Sequence, residues 1–192
     1  MIGNDIVDLK LASSSPNWRR KRFIDKVFSV EEQKIISHSS DSFRTIWLLW
    51  SMKESAYKIY VRQHSKKFFA PAMVKCNLLT SNDGIVEIFH ETYKTNTTID
   101  KNYIYTIAFN DFSENIISNC FELENATYSN QHYTSYQNLL YAIAELENVT
   151  ATSLVIKKDE FGTPILYQNN HAQNIPLSIT HHGHYGGYAI LK

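Results

Sequence analysis

Three observations predict an α+β fold in two unequal halves. Apolar periodicity marks one strand, three helical segments and then three strand-like runs, the order β-α-α-α-β-β-β. A second round, α-β-β-β, takes up the rest of the chain. Strands are grouped apart from helices rather than alternating with them, the pattern of α+β architecture and not of a parallel α/β sheet.

The chain's 192 residues, 43% apolar and 20% charged, can build one substantial core or two small halves sharing one. "IGNDIVDL" is β-branched and reads as the first strand. Three serines and Pro16 mark a loop after it. "NWRRKRFIDKVF" is helical in period, with Trp18, Phe23 and Val27 or Phe28 along one side. Ser29 and Glu32 have capping-box spacing, so a short helix starts before "EQKIISH". "SHSSDS" separates it from a long helix, roughly 41–63. Past Pro71, "VKCNLLTS", "GIVEIFHET" and "YIYTIAFN" read as strands, the first two joined across "SNDG". "TSYQNLLYAIAELENV" is an amphipathic helix with Leu139, Ala142, Ile143 and Leu146 on one stripe. Two strands flank "FGTP", and "IPLSITHHGHYGGYAILK" closes the chain.

Nineteen basic and nineteen acidic residues cancel, which argues against nucleic-acid binding through overall charge and leaves any anion recognition to a local cluster. No apolar run approaches the ~20 residues of a membrane span, and "MIGNDIVDLK" lacks an export signal. Cys76 and Cys120 imply no disulfide framework. A cytoplasmic protein is expected.

Four features carry chemistry. Asp5 near a strand end and Glu54 on the long helix are either two solvated acids or the carboxylates of a hard divalent cation, which takes oxygen ligands and keeps several waters. In "SMKESAYKIY", Glu54 and Lys58 are four apart, in the favourable order for a helical ion pair; alternatively Lys58 clamps a phosphate beside the cation. "SITHHGHY" places three histidines in four positions, but strand alternation separates His181 from His182 and His184, and no second cluster has zinc spacing. A histidine after "SIT" is better placed to donate to a phosphate oxygen. "RRKR", Arg19, Arg20, Lys21 and Arg22, is either a solvated helix face or a dock for an acidic protein.

Together these stretches resemble the 4′-phosphopantetheinyl transferase superfamily. "GNDIVDL" is similar to its opening G-x-D motif, "WSMKESAYK" to its W-x-x-K-E-x-x-x-K helix, "FGTPIL" to its G-K-P strand and "LSITHHGHY" to its S-x-S-H segment. The resemblance implies that fold: two pseudo-symmetric halves, each with helices packed on a small antiparallel sheet. Residues 1–111 would form the half with the G-x-D and K-E motifs, and 112–192 the half with G-T-P and S-I-T-H. It implies Mg²⁺-dependent transfer of the phosphopantetheine arm of coenzyme A to a serine of an acyl or peptidyl carrier protein, releasing 3′,5′-adenosine bisphosphate. Asp5 and Glu54 would hold the metal, and Glu54 and Lys58 would act in catalysis. Lys53, Lys58, Gly162, Pro164, Ser178, Thr180 and His181 would meet coenzyme A, and Arg19 to Arg22 would receive the carrier. The alternative is a noncatalytic member that binds coenzyme A or a carrier.

The chain departs from the pattern in three ways. The G-T-P and S-I-T-H segments come last, which suggests either a circularly permuted two-halved enzyme, a monomer, or a small synthase-type enzyme with an insertion, a trimer. Val7 stands where many two-halved members have a third acid, and Asp8 falls on the opposite strand face. Thr163 stands in place of the lysine of G-K-P, with Lys157, Lys158, Lys66 or Lys67 as candidate replacements.

Overall fold

The computed structural model describes residues 1–110 and 115–192, with the side chains of Pro16, Asn17 and Lys21 left aside. Strand β1 (Ile2–Asp8) leads into α1 (Leu9–Ser14), a 3₁₀ turn (Pro16–Arg19), α2 (Lys21–Val27), α3 (Val30–His38) and the long α4 (Ser42–His64). Strands β2 (Val74–Leu78), β3 (Asp83–Ile88), β4 (Glu91–Ile99), β5 (Tyr103–Phe109) and β6 (Ile116–Glu122) follow. After α5 (Tyr128–Glu147) come β7 (Leu154–Lys158), β8 (Pro164–Gln168), the short β9 (His171–Ala172), β10 (Leu177–His182) and β11 (Tyr185–Leu191). This is the α+β fold expected.

Local chemistry explains the helix ends. Ser29 Oγ accepts from the Glu32 N–H at 3.2 Å while Glu32 Oε2 accepts from the Ser29 N–H at 2.7 Å, the reciprocal cap that starts α3. Asp41 accepts from the Arg44 N–H at 3.0 Å to start α4, which ends at Ser65 in the left-handed region.

Four expectations needed correction, the first being the α-β-β-β round: β6 precedes α5, and five strands rather than three follow it. The serines before Pro16 are not all loop: Asp8 caps a turn of helix that includes Ser13 and Ser14. "NWRRKRFIDKVF" is a 3₁₀ turn and a helix divided at an extended Arg20, although Trp18, Phe23, Val27 and Phe28 all join one core as their spacing implied. "GIVEIFHET" is not one strand. It breaks at Phe89, where φ is 55°, and β4 follows. That strand was missed because its buried face is Tyr93, Thr95 and Thr97, a period-two pattern written mostly in threonine.

The first five strands make an antiparallel sheet in the order β1-β5-β4-β3-β2. Helix α4 lies against it, sending Leu49, Met52, Ala56 and Ile59 into a core with Val86, Ile88 and Ile104. Strands β10-β11-β6 form a second sheet and β7-β8-β9 a third. Helix α5 brings Leu139 and Ile143 onto Leu154, Leu166, Leu177 and Ile190, a second core.

The site depends on where the first two sheets meet. Their edge strands β1 and β10 run side by side, and side chains rather than a backbone ladder join them. The Asn4 N–H donates to Ser178 Oγ at 3.1 Å, Thr180 Oγ1 to Asp5 Oδ1 at 3.4 Å, and the Asp8 N–H to His182 Nδ1 at 2.9 Å. Residue numbers rise together along both strands, so the edges are parallel. On the other side β1 presses on α4: a Cβ on Gly3 would lie 2.1 Å from the Ser55 carbonyl oxygen. Only glycine permits that approach, which seats Asp5 beside the helix.

Candidate active site

Helix α4 carries the site along one face, with Trp47, Trp50, Glu54, Lys58 and Arg62 at intervals of three or four. A cavity of about 140 Å³ lies between β1, α4 and β10, lined by Asp5, Val7, Trp47, Trp50, Glu54 and His181, together with His182. The strand acid and the helix acid of the sequence reading therefore share one cavity. Lys58 Nζ sits 3.6 Å from Asp5 Oδ1 and donates to the Asn4 carbonyl at 2.5 Å, tying helix to strand.

The electrostatics follow from that crowding. Burial raises the Asp5 carboxyl above its ordinary range, with Lys58 the main opposing influence. Burial, and then the charge of Asp5, push Glu54 up to about 7, with Lys58 again opposing. Two half-buried carboxylates, each raised by burial and Glu54 further by Asp5, beside a single ammonium suit a divalent cation. Among the described residues no three His, Cys, Asp or Glu side chains converge on one point, the three late histidines included. The pair present suits a cation that keeps its waters and takes further oxygens from a phosphate. Asp8, as its strand parity implied, is turned away: it accepts from the Leu11 and His184 N–H groups, each at 3.0 Å.

A second cavity, about 210 Å³, begins at Lys58 and runs under the "FGTP" turn past Gly162, Thr163, Pro164 and Ser178. Its walls also hold Arg62, Lys67 and Lys158. The Lys67 Nζ lies 3.8 Å from where a Gly162 Cβ would be. Burial pulls the Arg62 pKa below its ordinary value, with Asp159 opposing. Arg62 Nη2 donates to the Leu177 carbonyl, while Nη1 is buried with no hydrogen-bond partner among the described residues. An orphaned guanidinium N–H beside a cavity is a position for an anionic oxygen. Sequence reasoning missed Arg62, although Glu54, Lys58 and Arg62 fall on one helical stripe at i, i+4 and i+8. Of the four lysines named as replacements for the one absent at Thr163, Lys67 and Lys158 reach this cavity. Lys157 lies over the Tyr167 ring at 4.8 Å instead.

His181, in the wall of the Asp5–Glu54 cavity, is half-buried and edge-on to Tyr128 at 5.8 Å. Burial lowers its pKa, followed by the charges of His132, Lys58 and Lys158. Burial is thus the largest single cause of that depression, and neighbouring positive charge, chiefly His132, adds to it.

Lys53 is not placed with these groups. Its Nζ donates to Glu32 Oε2 at 2.8 Å, to the Pro71 carbonyl at 3.0 Å and to the Val74 carbonyl, and its side chain is 2% exposed. Glu32 also accepts from the Cys76 N–H at 2.7 Å. With its three donors used, Lys53 joins α4 to α3 and β2 and lines neither of the two cavities above. Ser178 and Thr180 spend their hydroxyls on β1, as described above, though Ser178 also touches the second cavity. Arg19, Arg20 and Arg22 are exposed around α2, and Lys21 has no described side chain. Trp18 packs on Phe43, and Phe23 packs on Trp47 and Trp50, two of the residues that wall the Asp5–Glu54 cavity.

Among the described residues no helix is long and apolar enough to cross a membrane. No curated protein matches the chain. A family model described as the 4′-phosphopantetheinyl transferase superfamily matches residues 1–116 of the 192, a span containing Gly3, Asp5, Glu54 and Lys58 and ending before the "FGTP" and "SITHH" segments. With more than half of its length matched, the chain belongs to the 4′-phosphopantetheinyl transferase superfamily.

Proposed function

We propose that this protein transfers the 4′-phosphopantetheine arm of coenzyme A to a serine of an apo acyl or peptidyl carrier protein. The observation that carries the reading is the meeting of Asp5 and Glu54 in one cavity, with Lys58 joining it to a second cavity lined by four cationic side chains. The serine oxygen attacks the β-phosphorus, a new O–P bond forms, and the bond to the α-phosphate breaks, releasing 3′,5′-adenosine bisphosphate. Glu54, facing the cavity beside Asp5, takes the serine proton. Lys58 and His181 hold the phosphate oxygens as they gain charge. Lys67, Lys158 and Arg62 take the nucleotide's phosphates, and Gly162 and Pro164 shape its pocket. Asp5 and Glu54 would hold Mg²⁺, which when bound would neutralise charge on the pyrophosphate.

The exposed Arg19, Arg20 and Arg22, in the "RRKR" run, offer the carrier's acidic face a dock. The halves divide near residue 111, in the order of a circularly permuted two-halved enzyme. A monomer by solution mass supports that order, and a trimer supports the single-half alternative. The setting is the cytoplasm, where coenzyme A and carriers are found together.

The second reading is a noncatalytic member, favoured by Thr163 where the family pattern has lysine. Intact mass of an apo carrier incubated with this protein, coenzyme A and Mg²⁺, beside an EDTA control, separates them. A phosphopantetheine-sized gain without EDTA alone establishes transfer. No gain with several carriers despite coenzyme A binding establishes the binder.

A further inference from the structure

His182 has no place in the S-x-S-H resemblance, yet its ring lines the cavity of Asp5 and Glu54. Its Nδ1 accepts the backbone N–H of Asp8 at 2.9 Å. A backbone amide can only donate, so Nδ1 is bare and the ring proton sits on Nε2. A nitrogen carrying a proton neither ligates a metal nor takes a proton from serine. It is a hydrogen-bond donor, held in one orientation.

The stitch to β1 does not need an imidazole. Four residues earlier on the same strand face, Ser178 accepts the Asn4 N–H at 3.1 Å with a hydroxyl alone. The ring at 182 reaches beyond that task into a cavity walled partly by Val7, Trp47 and Trp50, whose apolar surfaces thin out water and strengthen any hydrogen bond made there. Strand β10 turns back at once through Gly183, where φ is 59° and an added Cβ would lie 2.2 Å from Asp8 Oδ2. That close turn, with the His184 N–H on the same Asp8 carboxylate, fixes the strand end and therefore the ring.

We propose that His182 is a second phosphate-binding histidine, its Nε2–H donating to an oxygen of the phosphate that is transferred. The assignment rests on the transferase reading for the identity of that phosphate. His181 and His182, on opposite faces of β10, then grip the pyrophosphate from two directions.

The test is calorimetric titration of coenzyme A with Mg²⁺ into wild type and His182→Asn, with melting temperatures and steady-state kinetics on an apo carrier. Asparagine keeps an acceptor at the Nδ1 position for the Asp8 N–H and has no atom where Nε2 was. The expected result is melting within about 2 °C of wild type, coenzyme A affinity weakened about tenfold as for a lost hydrogen bond to a charged group, and lower kcat with unchanged KM for the carrier. If His182→Asn melts early, His182→Ser, with the residue type that stitches at 178, carries the same comparison. Equal affinity and equal kcat in a folded variant reduce His182 to a stitch and overturn the proposal. Wild type that binds coenzyme A without transferring its arm sinks the transferase reading, while the affinity ratio still decides His182. Wild type that does not bind coenzyme A overturns both.

Discussion

Lys58 Nζ lies 3.6 Å from Asp5 Oδ1, so a helix lysine is committed to a strand carboxylate fifty-three positions away. It also holds the Asn4 carbonyl, fixing β1 on α4 at the point where Asp5 and Glu54 face one cavity. Much of the site's behaviour follows from that attachment, because it leaves Glu54 without a full counter-charge.

Without a divalent cation, Glu54→Gln is predicted to stabilise the protein at pH 8. The folded-state pKa of about 7 stands above the ordinary 4.5, so the folded protein holds a proton that the unfolded chain releases. The stabilising contribution is complete below about 4.5 and is lost as pH rises through 7. Above that, ionised Glu54 costs on the order of 1–3 kcal/mol. Denaturant unfolding of both variants at pH 5 and pH 8 checks this: the difference is small at pH 5 and favours glutamine at pH 8. The opposite trend would mean that Glu54 is well paired.

Lys53→Met should act on stability. It strips a buried glutamate of its cation, and such losses run about 3–5 kcal/mol. A thermal shift reads it directly. Normal melting combined with weakened coenzyme A binding would return Lys53 to the phosphate site.

Lys158→Ala and Arg62→Met should each weaken coenzyme A binding about tenfold, and the salt dependence of binding should become shallower. Lys157→Ala, whose ammonium rests on Tyr167, should not. Calorimetry at two ionic strengths distinguishes them, and identical affinities in all three would remove the second cavity from the nucleotide site.

Gly3→Ala should destabilise by at least the 1–3 kcal/mol typical of overpacking, since its Cβ would meet a backbone carbonyl at 2.1 Å that cannot rotate away. Urea unfolding measures this; an unchanged midpoint would show that β1 and α4 can separate without loss.

Residue types and spacing left two readings open for Asp5, Glu54 and Lys58, and it was the resemblance of "GNDIVDL" and "WSMKESAYK" to the G-x-D and K-E motifs that singled them out. The α3 cap was legible too, since Ser29 and Glu32 act within one turn. Lys53 and Glu54 look equivalent as neighbours in a string, yet on the helix they point about 100° apart, Glu54 toward the Asp5 cavity and Lys53 toward Glu32. Arg62 and His182 were legible in principle, as i+4 from Lys58 and as the third member of the alternation Ser178, Thr180, His182. Their significance depends on the β1–β10 junction, which joins residues more than 170 positions apart and leaves no local signal. Strand β4 was lost for a different reason: threonine on its buried face hides the alternation that apolar residues would have shown.

The central claim for the site is that Asp5 and Glu54 share one cation. The most direct measurement is calorimetric titration of Mg²⁺ into the protein saturated with coenzyme A, for wild type, Asp5→Asn and Glu54→Gln. One Mg²⁺ per chain is expected in wild type, and binding at least about tenfold weaker in each variant. Undiminished binding in both variants would contradict it and place the cation elsewhere.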